Sequence, residues 1–331
     1  MKKLFFILSV IIIFNSCKKG EKSIFNTSDV KPAAGGRAGE IIAVIDDSLW
    51  NSSVGDSIFY FLSEPFYGLP QDEPTFKVPH VPPQGFKNLF KSNRNVLIIN
   101  IKPDLKNNIQ VDRDLWARGQ LVIQIQAPDT TTFIKLWNKN KTKIRQLFFN
   151  EEIKRYQAAF ASMLNKKLHD KILAYYGIDL TLPNEYKFVE QKGDFLWFSR
   201  ETSISTQAIF IYSEPFTSSY QLNKDSLIVL WDKLLYKYVP GPKEGTYPSI
   251  ELRYPVKVEN INLNGKNAIF MRGLWKTEGG FFLGGPFLSL SIINEKTNRM
   301  ITLFSVIYGG KKEKKLYVWQ VEAILKSVKL K

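Results

Sequence analysis

Cysteine, histidine and paired carboxylates carry most hydrolytic and metal chemistry, and this chain of 331 residues is sparing with them: one cysteine, Cys17, and two histidines, His80 and His169. Cys17 closes an apolar N-terminal run, so no other thiol remains for a Cys–His nucleophile or for a zinc site of the usual Cys and His ligands. A pair of carboxylates is the remaining route to hydrolysis. In glycosidases two such groups flank the scissile bond about 5 to 9.5 Å apart. Asp46, Asp47, Asp72, Glu73, Asp112, Asp114 and Glu278 are the candidates. The sequence brings them together only as neighbours, and neighbours in a strand point to opposite faces. His80 lies in a proline-rich stretch, and His169, beside Leu168, reads as a boundary residue of a helix. Gly35-Gly36-Arg37 fits neither GxxxxGK[ST] nor GxGxxG, and no calcium loop of the D-x-D-x-D-G kind occurs. The sequence therefore implies no cofactor and no metal.

The first seventeen residues, MKKLFFILSVIIIFNSC, explain where the cysteine goes. Lys2 and Lys3 precede an apolar run from Leu4 to Phe14, about half of the roughly 20 residues that span a bilayer, and Ser16 stands directly before Cys17. This is the layout of a lipoprotein export signal, residues 1–16, with Phe14-Asn15-Ser16 a loose version of the usual residues before the lipidated cysteine. Acyl chains on Cys17 would hold the protein at a membrane. A polar, Gly- and Pro-containing stretch, residues 17–39, then reads as a flexible tether. Lys and Arg outnumber Asp and Glu by 46 to 31, and an excess of 13 remains once Lys2 and Lys3 leave with the signal. Such a field favours anionic lipids or acidic envelope polymers, and export leaves nucleic acid without a role.

The folded part divides into an N-terminal half, residues 40–182, and a C-terminal half, residues 183–331. Ile41 to Ile45 predicts a strand, and Ser52 or Ser53 caps a helix whose inner face is Val54, Ile58, Phe61 and Leu62. Phe66 to Pro83 holds too many prolines for a helix. Asn95 to Ile101 and Gln120 to Ala127 predict strands joined by a charged connection, Val111 to Gly119. Helix then dominates from Thr131 to Tyr176. From Glu151 an apolar stripe runs through Ile153, Tyr156, Phe160, Met163 or Leu164, Leu168 and Ile172, Gly177 caps the end, and the outer face is basic with Lys154, Arg155, Lys166, Lys167 and Lys171. In the second half, strands are expected at Phe195 to Arg200, Gln207 to Ser213, Tyr254 to Glu259, Asn267 to Trp275, Phe287 to Asn294 and Met300 to Tyr308. A helix capped by Asn223 buries Leu227, Trp231, Leu234 and Tyr238, and a last helix carries Tyr317, Val321, Ile324 and Val328. The order implies an α+β fold of antiparallel sheets packed with helices, with two ferredoxin-like halves as one reading. Its only literal echo is SEPF, at Ser63 and again at Ser213.

The most unusual stretch is MRGLWKTEGGFFLGGPF, Met271 to Phe287. Gly279-Gly280 and Gly284-Gly285 bracket Phe281-Phe282-Leu283, so positive φ is open to the chain on both sides of an apolar tip. Either the tip folds back on the core, or it forms a contact edge with Arg272, Trp275, Phe281 and Phe282. Arg113 and Trp116 are a second candidate contact.

With GRAGEI at Gly36 to Ile41, LPQDEPTF at Leu69 to Phe76, RDLWARGQ at Arg113 to Gln120, VPGPKEGTY at Val239 to Tyr247 and VEAIL at Val321 to Leu325, this stretch resembles an uncharacterised domain-of-unknown-function family of Bacteroidota lipoproteins, from about Gly35 to the C-terminus. The resemblance implies no activity, ligand or catalytic residue. In similar lipoproteins an acidic cluster after the cysteine favours surface display, and the basic Lys18-Lys19-Gly20-Glu21 leans toward the periplasm. The function expected is a non-catalytic binding or assembly factor of the envelope, lipid-anchored at the outer membrane with its body in the periplasm and an envelope protein or anionic polymer as partner. A carboxylate hydrolase of envelope glycans or esters and a binder of anionic surfaces are the alternatives.

Overall fold

The computed structural model describes residues 31–310 and 313–331. The expected signal, Cys17 and most of the tether lie outside the described residues. Residues 32–331 form one compact unit.

Its first part runs β1 (Ile42–Val44), α1 (Asp47–Trp50), α2 (Ser53–Leu62), β2 (His80–Val81), α3 (Asn88–Lys91), β3 (Asn95–Ile101), β4 (Asn108–Arg113), β5 (Leu121–Ala127), α4 (Thr130–Ser162) and α5 (Lys166–Tyr176). The rest follows as β6 (Ile178–Asp179), β7 (Lys187–Lys192), β8 (Phe195–Glu201), β9 (Thr206–Pro215), α6 (Lys224–Tyr238), β10 (Tyr247–Glu251), β11 (Lys257–Leu263), β12 (Lys266–Glu278), β13 (Gly284–Asn294), β14 (Arg299–Tyr308), α7 (Lys315–Leu325) and β15 (Lys329–Leu330).

The fold is α+β, and the larger sheet is antiparallel throughout, in the order β10-β12-β13-β14-β9-β8-β7 with β11 also on β12. The smaller sheet, β2-β1-β3-β5-β4, departs from expectation, because β1, β2, β3 and β5 are parallel and only β4 is antiparallel. The two halves thus have different topologies, and SEPF marks no structural repeat. Strand β3, NVLIINI, shows why it is central: Leu97 and Ile99 enter the main core, and Val96 packs on the opposite face with Ile42, Val44, Val81 and Val122. A strand buried on both faces reads as continuous apolar sequence. The connection expected at Val111 to Gly119 begins as β4, an edge strand of mostly exposed residues that carries little apolar signal.

The layers run small sheet, α4, α7, large sheet, α6. On the outer face of the large sheet, Trp231 of α6 stacks on Phe304 at 4.8 Å and donates to Thr302 Oγ1 at 3.2 Å. Between the sheets, Trp319 of α7 is fully buried within 5.3 to 6.0 Å of the rings of Phe66, Phe76 and Phe149. Phe66 and Phe76 belong to the proline-rich stretch, which is a cover sealed onto the core.

The caps read from sequence are in place at Ser52, which accepts from Val54 N, at Asn223, which accepts from Ser226 N, and at Gly177 with φ +66°. The long helical stretch is two helices, broken at Met163–Asn165 where Asn165 caps α5. Arg155 leaves the basic outer face: its guanidinium is mostly buried against Glu152, Asn95 and the carbonyls of Arg94 and Gly119. Of the remaining basic residues, Lys154 belongs to α4 and Lys166, Lys167 and Lys171 to α5, so the expected continuous basic face is divided between two helices.

Glu73, one of the candidate acids, has a structural task. Its carboxylate is 4% exposed and accepts from Lys314 N at 2.6 Å and Lys315 N at 2.9 Å, closing the N-terminus of α7 where the helix dipole favours a negative charge. Glu73→Ala takes this acceptor from two buried N–H groups and is expected to lower stability by about 1–3 kcal/mol in urea unfolding, with Glu73→Gln recovering part of the loss.

Candidate functional site

Strand β12 distributes its side chains to two layers. Ala268, Phe270 and Arg272 face α7, whereas Met271 and Trp275 face α6. Arg272 and Trp275, expected on one contact edge, are therefore separated by the sheet, because the alternation of a strand places residues three apart on opposite faces. Trp275 is 6% exposed and donates from Nε1 to Ile307 O at 3.0 Å. Phe281 is half-buried under Lys243, whose Nζ lies 4.7 Å from its ring, and Phe282 is 81% exposed at the hairpin tip. Only the first glycine pair has positive φ, +88° at Gly279 and +94° at Gly280. The second pair serves close approach: a Cβ on Gly285 would lie 2.1 Å from Ile307 O, and one on Gly284 2.8 Å from Trp275 O. Arg113 pairs with Glu151 on α4 at 3.3 Å, and Trp116 packs edge-on to Phe86 at 5.5 Å, both far along the chain from β12.

What β12 does position is a charged cleft of about 310 Å³ between the segment that follows α2, helix α4, β11, β12 and the C-terminal end of α7. Arg272 forms its wall, held between the rings of Phe66 at 5.2 Å and Phe270 at 5.3 Å. Its Nη2 donates to Glu322 at 3.2 and 3.3 Å, and Lys326 Nζ donates to the same carboxylate at 2.6 Å. Glu322 is fully buried. Lys257 pairs with Glu259 at 2.9 Å, and Arg145 pairs with Glu64 at the rim.

Four cations thus meet three carboxylates, and since Glu322 serves two of the cations, one positive charge is uncompensated. Arg272 Nε, in a side chain 9% exposed, has no hydrogen-bond partner. Burial raises the pKa of Glu259, but the hydrogen bond from Lys257 and the charges of Arg272, Lys257 and Lys326 outweigh it and hold the carboxyl below its ordinary value. Glu259 is therefore an anion at neutral pH and not a poised acid. The described lining contains no histidine, cysteine or serine, and Thr75 Oγ1 already donates to Glu64 O at 2.7 Å. Recognition of charge beside aromatic rings is the chemistry this cleft can perform.

The candidates read from sequence do not gather. Among them only Arg272 lines the cleft. His80 Nε2 lies 2.7 Å from Ile45 O with its ring stacked on Trp50, and His169 bridges Asp170 and Asp179 at 3.1 Å each. Asp232, outside the candidate set, has its pKa raised by burial, but it accepts from Ile250 N and Ser249 Oγ and braces α6 against β10. Among the described residues, no group of three or more His, Cys, Asp or Glu side chains could hold a metal ion. Glu322 and Lys326 escaped sequence reasoning, although a lone carboxylate within the apolar run VWQVEAIL was a visible signal.

No curated protein matches this chain. A crystal structure of a protein from Bacteroides thetaiotaomicron is similar over 47% of this chain at 11% identity with a TM-score of 0.20, and the match spans 46% of that protein's length. Residues 34–161 match the domain of unknown function DUF8532, and residues 165–327 match the domain of unknown function DUF4837. Over these two stretches the chain is similar to two domains of unknown function, DUF8532 followed by DUF4837.

Proposed function

We propose that this protein is a non-catalytic binding factor of the cell envelope, anchored by lipid on Cys17 with its body in the periplasm, and that the Arg272 cleft takes a ligand bearing one negative charge beside an apolar or aromatic group. The observation that carries the reading is the one positive charge in excess among the paired side chains of the cleft, beside a nearly dry arginine whose Nε lacks a partner. Buried charge without full compensation is costly, and a ligand anion would relieve that cost. The flanking rings of Phe66, Tyr67 and Phe149 offer the apolar contact.

Benzoate and benzylamine, matched in shape and opposite in charge, test the cleft at constant ionic strength. Benzoate is expected to raise the melting temperature saturably and benzylamine to leave it unchanged. Lys257→Ala frees Glu259 to cancel the spare positive charge, and about a fivefold loss of benzoate affinity is expected, the equivalent of one partly screened charge. Equal responses to both probes, or benzoate binding indifferent to Lys257→Ala, would sink the cleft reading. The anchor is tested by a fatty-acid analogue, whose incorporation should vanish in Cys17→Ser.

A further inference from the structure

The chain enters its compact body at one corner of the small sheet, and that corner carries a surface the cleft does not use. Arg118 N donates to Pro32 O at 2.7 Å and Ala34 N donates to Arg118 O at 2.8 Å. On the other side Gly35 N donates to Ser92 O at 2.8 Å and Arg94 N donates to Gly35 O at 2.9 Å. These bonds fix Pro32 to Gly35 between the β4–β5 turn and α3.

Helix α3, NLFK, turns its apolar residues outward: Leu89 is 78% exposed and Phe90 36%. Lys87 and Lys91 flank them, both exposed. The turn is held in shape, because Phe90 N donates to Lys87 O at 2.8 Å and Ser92 Oγ to Leu89 O at 2.9 Å. Behind it Phe86 packs on Trp116, and Lys91 Nζ lies 5.9 Å from the Trp116 ring. From Pro74 to Pro103 the chain has no Asp or Glu; of the cations within it, Lys77 pairs with Glu313 and Arg94 with Glu152, while Lys87, Lys91 and Lys102 complete the basic set. Asp114, at the neighbouring turn, is engaged by Gly119 N and Gln120 N.

We propose that α3 and its flanking lysines are the face through which the body rests on an anionic bilayer, with Leu89 and Phe90 entering the boundary of the acyl chains and Lys87 and Lys91 meeting headgroup phosphates. An apolar tip ringed by lysines is the composition that binds such an interface. The proposal rests on the anchoring reading, because the anchor adds proximity. Fourteen residues separate Cys17 from Pro32 and span at most about 50 Å. The tethered corner and the apolar-basic face are the same corner. Helix α6, at the opposite end of the layers, also exposes an aromatic residue, Tyr236 at 69%, and serves as the control.

The full chain is reconstituted into phosphatidylcholine vesicles with and without phosphatidylglycerol, carrying a fluorophore at Leu89→Cys or at Tyr236→Cys, and a quencher is placed in the bilayer. The parent chain, labelled in parallel, reports any signal from Cys17. Quenching at position 89 is expected to exceed that at position 236 severalfold, and the excess should fall on the order of tenfold without phosphatidylglycerol or in Lys87→Glu, Lys91→Glu. Equal quenching at the two positions, or an excess untouched by the charge reversal, overturns the face. Fatty-acid incorporation at Cys17 is read separately on the same preparations. Incorporation with equal quenching rejects the face and keeps the anchor, and selective quenching at 89 without incorporation keeps the face and rejects the lipid.

Discussion

Glu322→Ala is expected to lower folding stability by about 3–5 kcal/mol, measured as the urea midpoint at neutral pH, the range found when one partner of a buried ion pair is removed. Glu322 is fully buried and its two cationic partners lie at 3.2 and 2.6 Å. They do not suffer equally. Lys326 is 21% exposed and can swing its ammonium into the cleft, whereas Arg272 is 9% exposed, wedged between Phe66 and Phe270, and would keep its charge in place with no counter-ion. Replacing both members, Arg272→Met with Glu322→Leu, should cost much less than the two single changes together, since the aromatic walls suit apolar side chains. The conservative Glu322→Gln separates stability from binding. It removes a negative charge from the cleft, so benzoate should bind more tightly to a protein that is less stable. A loss of only about 1 kcal/mol in Glu322→Ala would rank the pair with surface bridges and remove the basis for the uncompensated charge.

The same residues show what the sequence could reveal. Strands β3, β8, β9, β13 and β14 and helices α2 and α6 announce themselves because apolar spacing and capping residues are local properties. Which strands become neighbours is not local, and so the parallel order of the small sheet was invisible in a stretch read as antiparallel. Arg155 failed for a related reason: helical spacing put it on the lysine face, and only the nearby Asn95 and the carbonyls of Arg94 and Gly119 explain why its head turns inward. In the candidate site, Arg272 was legible as part of an unusual stretch, but Glu322 lies on α7 fifty residues later and Lys326 is that helix's C-cap. Trp275 was misplaced because one strand serves two cores, and the glycine-bracketed tip, exposed at Phe282, contributes no side chain to the lining of the Arg272 cleft.

A second large loss, again about 3–5 kcal/mol, is expected for Glu152→Ala, and its consequences reach the corner where the chain enters the body. Glu152 is fully buried on α4 and accepts from Asn95 Nδ2 at 2.7 Å, Arg155 Nη1 at 3.0 Å and Arg94 Nη1 at 3.2 Å. Burial depresses the pKa of the Arg155 guanidinium and the Glu152 charge opposes that shift, so the carboxylate is what makes a buried cation tolerable here. Without it two guanidiniums face each other, and Arg155 is pushed away from the carbonyls of Gly119 and Arg94, to which it donates at 2.8 Å each. Arg94 N is the donor to Gly35 O that closes one side of the tethered corner. Amide exchange should therefore quicken at Arg94 and Leu121 more than in β13, even after correction for the global loss. Uniform exchange across both sheets would mean that the Glu152 network supports the whole fold evenly and has no particular hold on the corner that presents Leu89.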